Sequence, residues 1–258
     1  MKTSNNTILI TGGSSGIGLE MAKEFLKRNN TVIVTGRNEG KLENAKSKYP
    51  ELITIQSDVS NPQDIKQLKE QIEKDYPDLN ILINNAGIMR TINLQNHNMS
   101  DEALTQEIDV NIKGPIWMNN AFLPILRGKE NAATVMVSSG LAFVPLPISP
   151  VYCATKAALH SYCISLREQY KNTGIKVVEL APPGTETELL ASFDPADMEG
   201  TKAMPVDKLV SSFIKDFEKG KLEICPGQAS QLRFMSRFFP GMIQKVLNKP
   251  VDRMHAQS

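Results

Sequence analysis

Cysteine is scarce in this chain of 258 residues. Cys153, Cys163 and Cys225 form no metal-ligand spacing, and an odd count fits no closed disulfide framework. Thiols in a reducing, cytoplasmic setting are the expectation, with Cys153 exposed to reagents near any site at its neighbour Tyr152. Histidine is as sparse: His97, His160 and His255 stand far apart, so surface or packing roles are expected and no metal site. No apolar run reaches the roughly 18 residues of a bilayer span. The opening residues run straight into a strand-like segment, which leaves no room for a signal peptide. Excess charge is missing too. A net charge of +1 gives no reason to expect nucleic acid or an anionic membrane as partner. There is no repeat, low-complexity tract or dividing linker.

What remains is an alternation of strand and helix signals. Strand-like runs fall at 7–11, 31–35, 52–56, 79–83, 133–138, 175–180 and 221–224. Helical patterns fall at 16–28, 39–48, 62–75, 101–126, 152–172 and 206–219. Strands alternating with helices imply βαβ units and a doubly wound parallel α/β sheet of about seven strands. The length suits one such Rossmann-type domain over residues 1–258. Two stretches break the rhythm. Residues 187–206, which overlap the irregular run 182–205, are expected to form a substrate loop. Residues 228–258 form an extension, read over 228–247 as one more packing helix, an oligomer contact or a substrate cover.

Directly after the first strand comes Thr11-Gly-Gly-Ser-Ser-Gly-Ile-Gly18, followed by a helical face of Ile17, Met21, Phe25 and Leu26. Strand, glycine turn and helix is the context a phosphate-cradling loop requires. Gly12 allows the tight turn, Gly16 the approach of a pyrophosphate, and Gly18 close packing of helix on sheet. The free N–H groups and positive end of that helix attract phosphate.

Tyr152 and Lys156 stand four residues apart, which places them on one face of a helix. A nearby cation favours a phenolate and lowers its pKa by about 1–3 units. Such a phenol exchanges protons near neutral pH, as the interconversion of carbonyl and alcohol demands. Beside a nucleotide loop, this pair points to catalysis rather than to an ordinary amphipathic surface.

The second strand ends at Gly36-Arg37. A carboxylate there would bind both ribose hydroxyls of NAD. Glycine leaves room for a 2′-phosphate and arginine offers it a charged fork of donors. NADP is therefore the expected cofactor, with NAD possible because Ser15 supplies no second cation.

In order, Thr11–Gly18, Asp58-Val59, Asn84-Asn-Ala-Gly87, Asn111, Ser139 and Tyr152-x-x-x-Lys156 resemble the motifs of the short-chain dehydrogenase/reductases over nearly the whole chain. Glu179-Leu-Ala-Pro-Pro and Phe239-Pro-Gly-Met resemble the subgroup named for the oxidoreductase of the D-alanylation (Dlt) operon, a likeness that fixes no substrate. The resemblance implies an enzyme in which Asn111, Ser139, Tyr152 and Lys156 are catalytic. Ser139 would hold the carbonyl oxygen, with Ser138 the competing candidate. Lys156 would serve Tyr152 and the nicotinamide ribose, and Asn111 would bend its helix and hold a water linking Lys156 to solvent. The same resemblance assigns cofactor contacts to Gly12, Ser14, Ser15, Gly16, Ile17, Gly18, Arg37, Asp58, Val59, Asn85, Ala86, Gly87, Tyr152, Lys156, Pro182 and Thr187. Pro183 stands where the family commonly has glycine, and Pro183-Gly184 gives an alternative register. Asp58 could instead cap the third helix, although Ser60 or Asn61 could do so as well.

A homodimer or homotetramer is expected, with Trp117, Phe122 and Leu126 either on the family's usual interface or in the core. The substrate is expected to be a small carbonyl or alcohol. Leu141, Phe143, Val144 and the loop at 189–198 suggest an apolar wall. A catalytically silent NADP-binding or redox-sensing protein on the same fold is the main alternative. An epimerase or dehydratase would need a larger C-terminal region.

Overall fold

A computed structural model describes residues 1–191, 193–194 and 202–256, with residues 255 and 256 described by backbone alone. Part of the expected substrate loop (Ser192 and 195–201, Met198 included), the His255 side chain and residues 257–258 lie outside the described residues.

The strands β1 (Thr7–Thr11), β2 (Thr31–Gly36), β3 (Ile53–Gln56), β4 (Leu79–Asn84), β5 (Ala133–Val137), β6 (Lys176–Leu180) and β7 (Glu223–Ile224) pair in parallel, in the order β3-β2-β1-β4-β5-β6-β7. β1, β4 and β5 are apolar almost throughout because helices cover both faces of the sheet. One layer packs α1 (Gly16–Leu26), α2 (Glu39–Lys48) and α8 (Val206–Glu218) on Ile8, Ile10, Val32 and Val34. Phe25 of α1 meets Phe213 of α8 edge-on at 6.5 Å. The other layer packs α3 (Pro62–Asp75), α5 (Gly114–Leu126) and α6 (Pro150–Tyr170) on Leu9, Ile33, Leu82 and Met136. Phe122 and Leu126 are fully buried in this layer, and Trp117 packs against it, so the first two belong to the core.

The helical pattern at 101–126 is not one regular helix. It divides into α4 (Asp101–Ile108), a π-helical turn (Asp109–Lys113) and α5. Asn111 sits in the π turn, fully buried. Its Oδ1 accepts from the Ile88 N–H at 2.9 Å, and its Nδ2 donates to the Ile88 carbonyl at 2.8 Å and to Thr155 Oγ1 at 3.1 Å. Pinned to the loop after β4 and to α6, Asn111 opens the helix by one residue.

The C-terminal extension is likewise not a single helix. After a short α7 (Glu188–Ala191), a bridge from Thr185 to Met204 closes the described ends of the irregular segment. Beyond β7 come α9 (Gln228–Phe238), α10 (Pro240–Leu247) and α11 (Lys249–Ala256). Pro240 and Pro250 each stand in a first turn, where a missing N–H costs nothing.

Candidate active site

A cleft of about 1160 Å³ opens along the C-terminal ends of the strands. At one end lies the glycine loop. Gly12 (φ +63°) takes a conformation that favours glycine, and a Cβ there would stand 2.8 Å from the Ala86 Cα. A Cβ on Gly18 would stand 2.5 Å from both Asn85 Nδ2 and the Gly12 carbonyl. Asn85 ties this corner together: its Nδ2 donates to the carbonyls of Thr11 and Gly12 at 3.0 and 2.9 Å. The hydroxyl of Thr11 accepts from the Asn85 and Ala86 N–H groups, each at 3.1 Å. Asn84 points instead into the core, toward Asn119 and Thr134. Ser15 precedes α1 without capping it through its side chain, so the helix presents backbone N–H groups to the cleft.

Gly12, Ser14, Ser15, Gly16, Ile17, Arg37, Asp58, Val59, Asn85, Ala86, Gly87, Pro182 and Thr187 all line the cleft, whereas Gly18 lies behind its wall. Pro183 and Gly184 line it as well, so neither register at that turn is turned away. The Thr187 methyl lies 3.4 Å from the place a Cβ on Gly16 would take, so the segment after β6 reaches across to the glycine loop. Asp58 is not the cap of α3. Asn61 fills that role, while Asp58 Oδ1 accepts from the N–H and hydroxyl of Ser60 at 2.8 and 2.6 Å. Arg37 is exposed at the end of β2, with Ser14 Oγ close beside Gly36.

Toward the middle of the cleft, α6 presents Tyr152 and Lys156, and the turn after β5 presents Ser139. All three are buried. The Lys156 ammonium donates to the Val137 carbonyl at 2.8 Å and lies 5.6 Å from the centre of the Tyr152 ring. Ser139 Oγ accepts from the Leu141 N–H at 3.1 Å and acts to lower the pKa of the phenol. Ser138 is committed elsewhere: its hydroxyl donates to Glu179 Oε1 at 2.5 Å.

The protonation states differ from those that spacing alone suggests. Burial pushes the Tyr152 phenol well above its ordinary value of 10.0, and Ser139 offsets only part of that. Burial pulls Lys156 down to about 8, with Cys163 and Glu179 acting upward. The ammonium therefore does not drive the phenol toward phenolate here. It faces a carbonyl, and desolvation of the phenol outweighs it. Cys153 is pushed up to about 11 by burial, which makes it a poor nucleophile near neutral pH.

Behind Ser138, Glu179 is fully buried and His160 Nδ1 bonds its Oε2 at 2.8 Å. His160 thus has a charged partner rather than a plain packing role, and Glu179 raises its pKa. His160, Glu179 and Glu223 bring ligand-type atoms within 4.8 Å of one another. The cation paired with that cluster is Arg233, 2.9 Å from Glu223 Oε1. Phe143 does not line the cleft but packs edge-on against His160 at 5.1 Å, and Val144 is buried outside the lining. Leu141, Leu189 and Leu190 do line it.

Two contributors are not signalled by local pattern, and a third is the substrate cover left open among the readings of 228–247. Lys41, in a charge run that reads as a solvated helix face, lines the cleft and pairs with Glu188 of α7 at 2.5 Å. Glu179 lies 41 positions from Ser138, beyond any helical or strand spacing. The substrate end is roofed by Leu232, Met235, Ile243 and Leu247 from α9 and α10.

Residues 6–197 match the family model for the short chain dehydrogenases. The chain is 41% identical to the uncharacterized oxidoreductase DltE of Bacillus subtilis over 92% of this chain and 94% of that protein. A short-chain dehydrogenase of Burkholderia cenocepacia solved with NADP superposes with a TM-score of 0.82 at 23% identity, over 96% of this chain and 99% of that one. One from Sphingobium yanoikuyae solved with NADPH superposes with a TM-score of 0.79 at 25% identity, over 95% and 96%.

Proposed function

Because the chain belongs to the short-chain dehydrogenase family of oxidoreductases, we propose that it transfers a hydride between NADP(H) and a carbonyl or alcohol substrate, with Tyr152 as acid and base. The glycine loop fits the nucleotide. Gly12 brings backbone against backbone where a side chain would collide, and α1 offers N–H groups to a pyrophosphate. Ser14 and Arg37 would take the 2′-phosphate, and Asp58 and Val59 the adenine. Ala86, Gly87 and Lys156 would take the ribose side, and Pro182 and Thr187 the carboxamide. NADP(H), when bound, supplies or accepts the hydride. The phosphorylated form is favoured by the glycine and arginine that end β2; similar structures hold NADP or NADPH, and others hold NADH or NAD, so NAD stays possible.

The protein's own part is the proton. Ser139 would donate to the substrate oxygen and hold it beside the phenol. Tyr152 gives that oxygen its proton in reduction. Burial keeps the proton on the phenol at neutral pH, which suits this direction. Positioned acid–base catalysis of this kind contributes about 10²–10⁴-fold. In the reverse direction the phenol must ionise, and the Lys156 ammonium would favour that. Asn111, locked to Ile88 and Thr155, would position the loop that carries Gly87. Met89, Leu141, Leu146, Leu190, Leu232 and Ile243 give the substrate end an apolar lining.

The observation that carries this reading is the meeting of Ser139 and Lys156 around Tyr152 in the same cleft as the glycine loop. A panel of ketones, aldehydes and alcohols, followed by NADPH absorbance, tests it. Turnover of an apolar carbonyl with NADPH is expected. Tight NADPH binding with no turnover of any member would favour a silent cofactor-binding protein instead.

A further inference from the structure

The charge of this chain is small only as a sum. Residues 228–258 hold Arg233, Arg237, Lys245, Lys249 and Arg253 against the single acid Asp252, so the extension is net +4 and the rest of the chain net −3. The exposed apolar surface is concentrated in the same place. Phe234, Phe238, Phe239, Met242 and Val246, each 49–59% exposed, are five of the nine large apolar side chains exposed among the described residues.

These side chains form one patch. Phe234 and Phe238 lie a turn apart on α9 with rings 4.7 Å apart, and Phe239 joins them at 6.4 Å. Phe239 is the corner residue, ending α9 and leading into α10. Met242 and Val246 continue the patch a turn apart on α10. Arg237, Lys245 and Lys249 are exposed on the same two helices and the start of the next.

We propose that the corner of α9 and α10 is a docking face for an anionic lipid bilayer. Aromatic and aliphatic side chains flanked by cations on short helices suit the interfacial layer, where rings enter the headgroup boundary and cations meet lipid phosphate. A second copy of this chain suits the face less, since it would bring the same cations again and the extension offers only Asp252 to meet them. The patch also adjoins the cleft. Val246 is both exposed and part of the cleft lining, while Leu232, Met235 and Leu247 of the same bundle face inward. Docked by this corner, the substrate end of the cleft would open toward the membrane. Vesicle binding needs neither cofactor nor turnover, so this inference stands or falls apart from the catalytic one.

The test is co-sedimentation of the full chain with vesicles of phosphatidylcholine alone and of phosphatidylcholine mixed with phosphatidylglycerol. Binding to the anionic vesicles only, weakened by salt, is expected. Arg237→Gln with Lys245→Gln should weaken it about thirtyfold, at about fivefold for each cation near an anionic surface. Phe234→Ser with Phe238→Ser should also release the protein, and unchanged thermal melting and NADPH affinity would show that both variants are folded. Absence of binding, or equal binding to neutral vesicles, overturns the proposal. So does a lipid-free dimer that Phe234→Ser with Phe238→Ser converts to monomer, because the patch would then be a contact between copies.

Discussion

Lys156 holds its ammonium 5.6 Å from the centre of the Tyr152 ring and spends a hydrogen bond on the Val137 carbonyl. The two side chains are close, yet both have lost their water, and each is pushed toward its neutral form. A neutral phenol is what a proton donor needs, and burial holds Tyr152 in that form.

Tyr152→Phe removes the proton and little else. NADPH turnover should fall by about 10²–10⁴-fold, the usual weight of positioned acid–base catalysis, while NADPH affinity measured by fluorescence titration stays near wild type. A variant that turns over at the normal rate would remove Tyr152 from the mechanism.

Lys156→Met should make the cofactor-free protein more stable and inactive at once. The folded-state pKa of about 8 lies below the unfolded value of 10.5, so between those values the unfolded chain holds a proton that the folded chain has released. Wild-type stability should therefore rise with pH across that window, and the variant should lack the rise. Scanning calorimetry at several pH values reads this, at about 2–4 °C in Tm for each kcal/mol gained.

Arg37→Asp should turn preference from NADP toward NAD. It removes a cation from the expected 2′-phosphate position and supplies an acceptor for ribose hydroxyls. One charged hydrogen-bonded contact is worth about 1.5–3 kcal/mol, or about ten- to a hundredfold in affinity. Titration of both cofactors at one ionic strength measures the ratio. Lys41→Ala should shift it less, because Lys41 is already engaged by Glu188.

Glu179→Gln keeps the shape of a group that accepts from Ser138 and can donate to His160, but it removes the charge. The carboxylate acts to raise the pKa of Lys156, so its loss should lower that pKa further. The alkaline limb of kcat against pH should then move to lower pH. In the same variant His160 loses the partner that raises its pKa. Wild-type stability from the His160–Glu179 pair is full below pH 6.5 and lost as pH rises through the raised His160 value, and the variant should not show that loss. A merely structural Glu179 would lower Tm and leave the kinetic limb in place.

The strands, the glycine loop and the Tyr152–Lys156 face were legible in the sequence because each is local: a run of β-branched residues, a turn that only glycine tolerates, a pair four residues apart. The π turn at Asp109–Lys113 was legible only as the bend at Asn111 that the resemblance implied, since apolar residues continue on both sides and the bonds of Asn111 run to distant Ile88 and Thr155. Glu179 was hidden for the same reason, its partners being Ser138 on β5's end and His160 on α6. The extension defeated periodicity because Pro240 and Pro250 cut it into pieces too short to show a face. Lys41 was misleading because a helix bearing three lysines looks solvated until α7 is seen beside it.

The parallel order of the sheet carries a consequence for how the chain must be made. β1 pairs with β4, so the glycine loop gains its second wall only when residues 79–84 exist, and the roof over the substrate waits for residues 232–247. No hairpin can form early and hold the place, because every pairing needs a crossover and long loops close at an entropic cost. During synthesis the nucleotide half of the cleft can therefore be complete while the substrate half is still missing. A chain cut short after β7 would retain the glycine loop and lose the roof, and cofactor binding should outlast substrate selectivity as the chain is trimmed from its C-terminus.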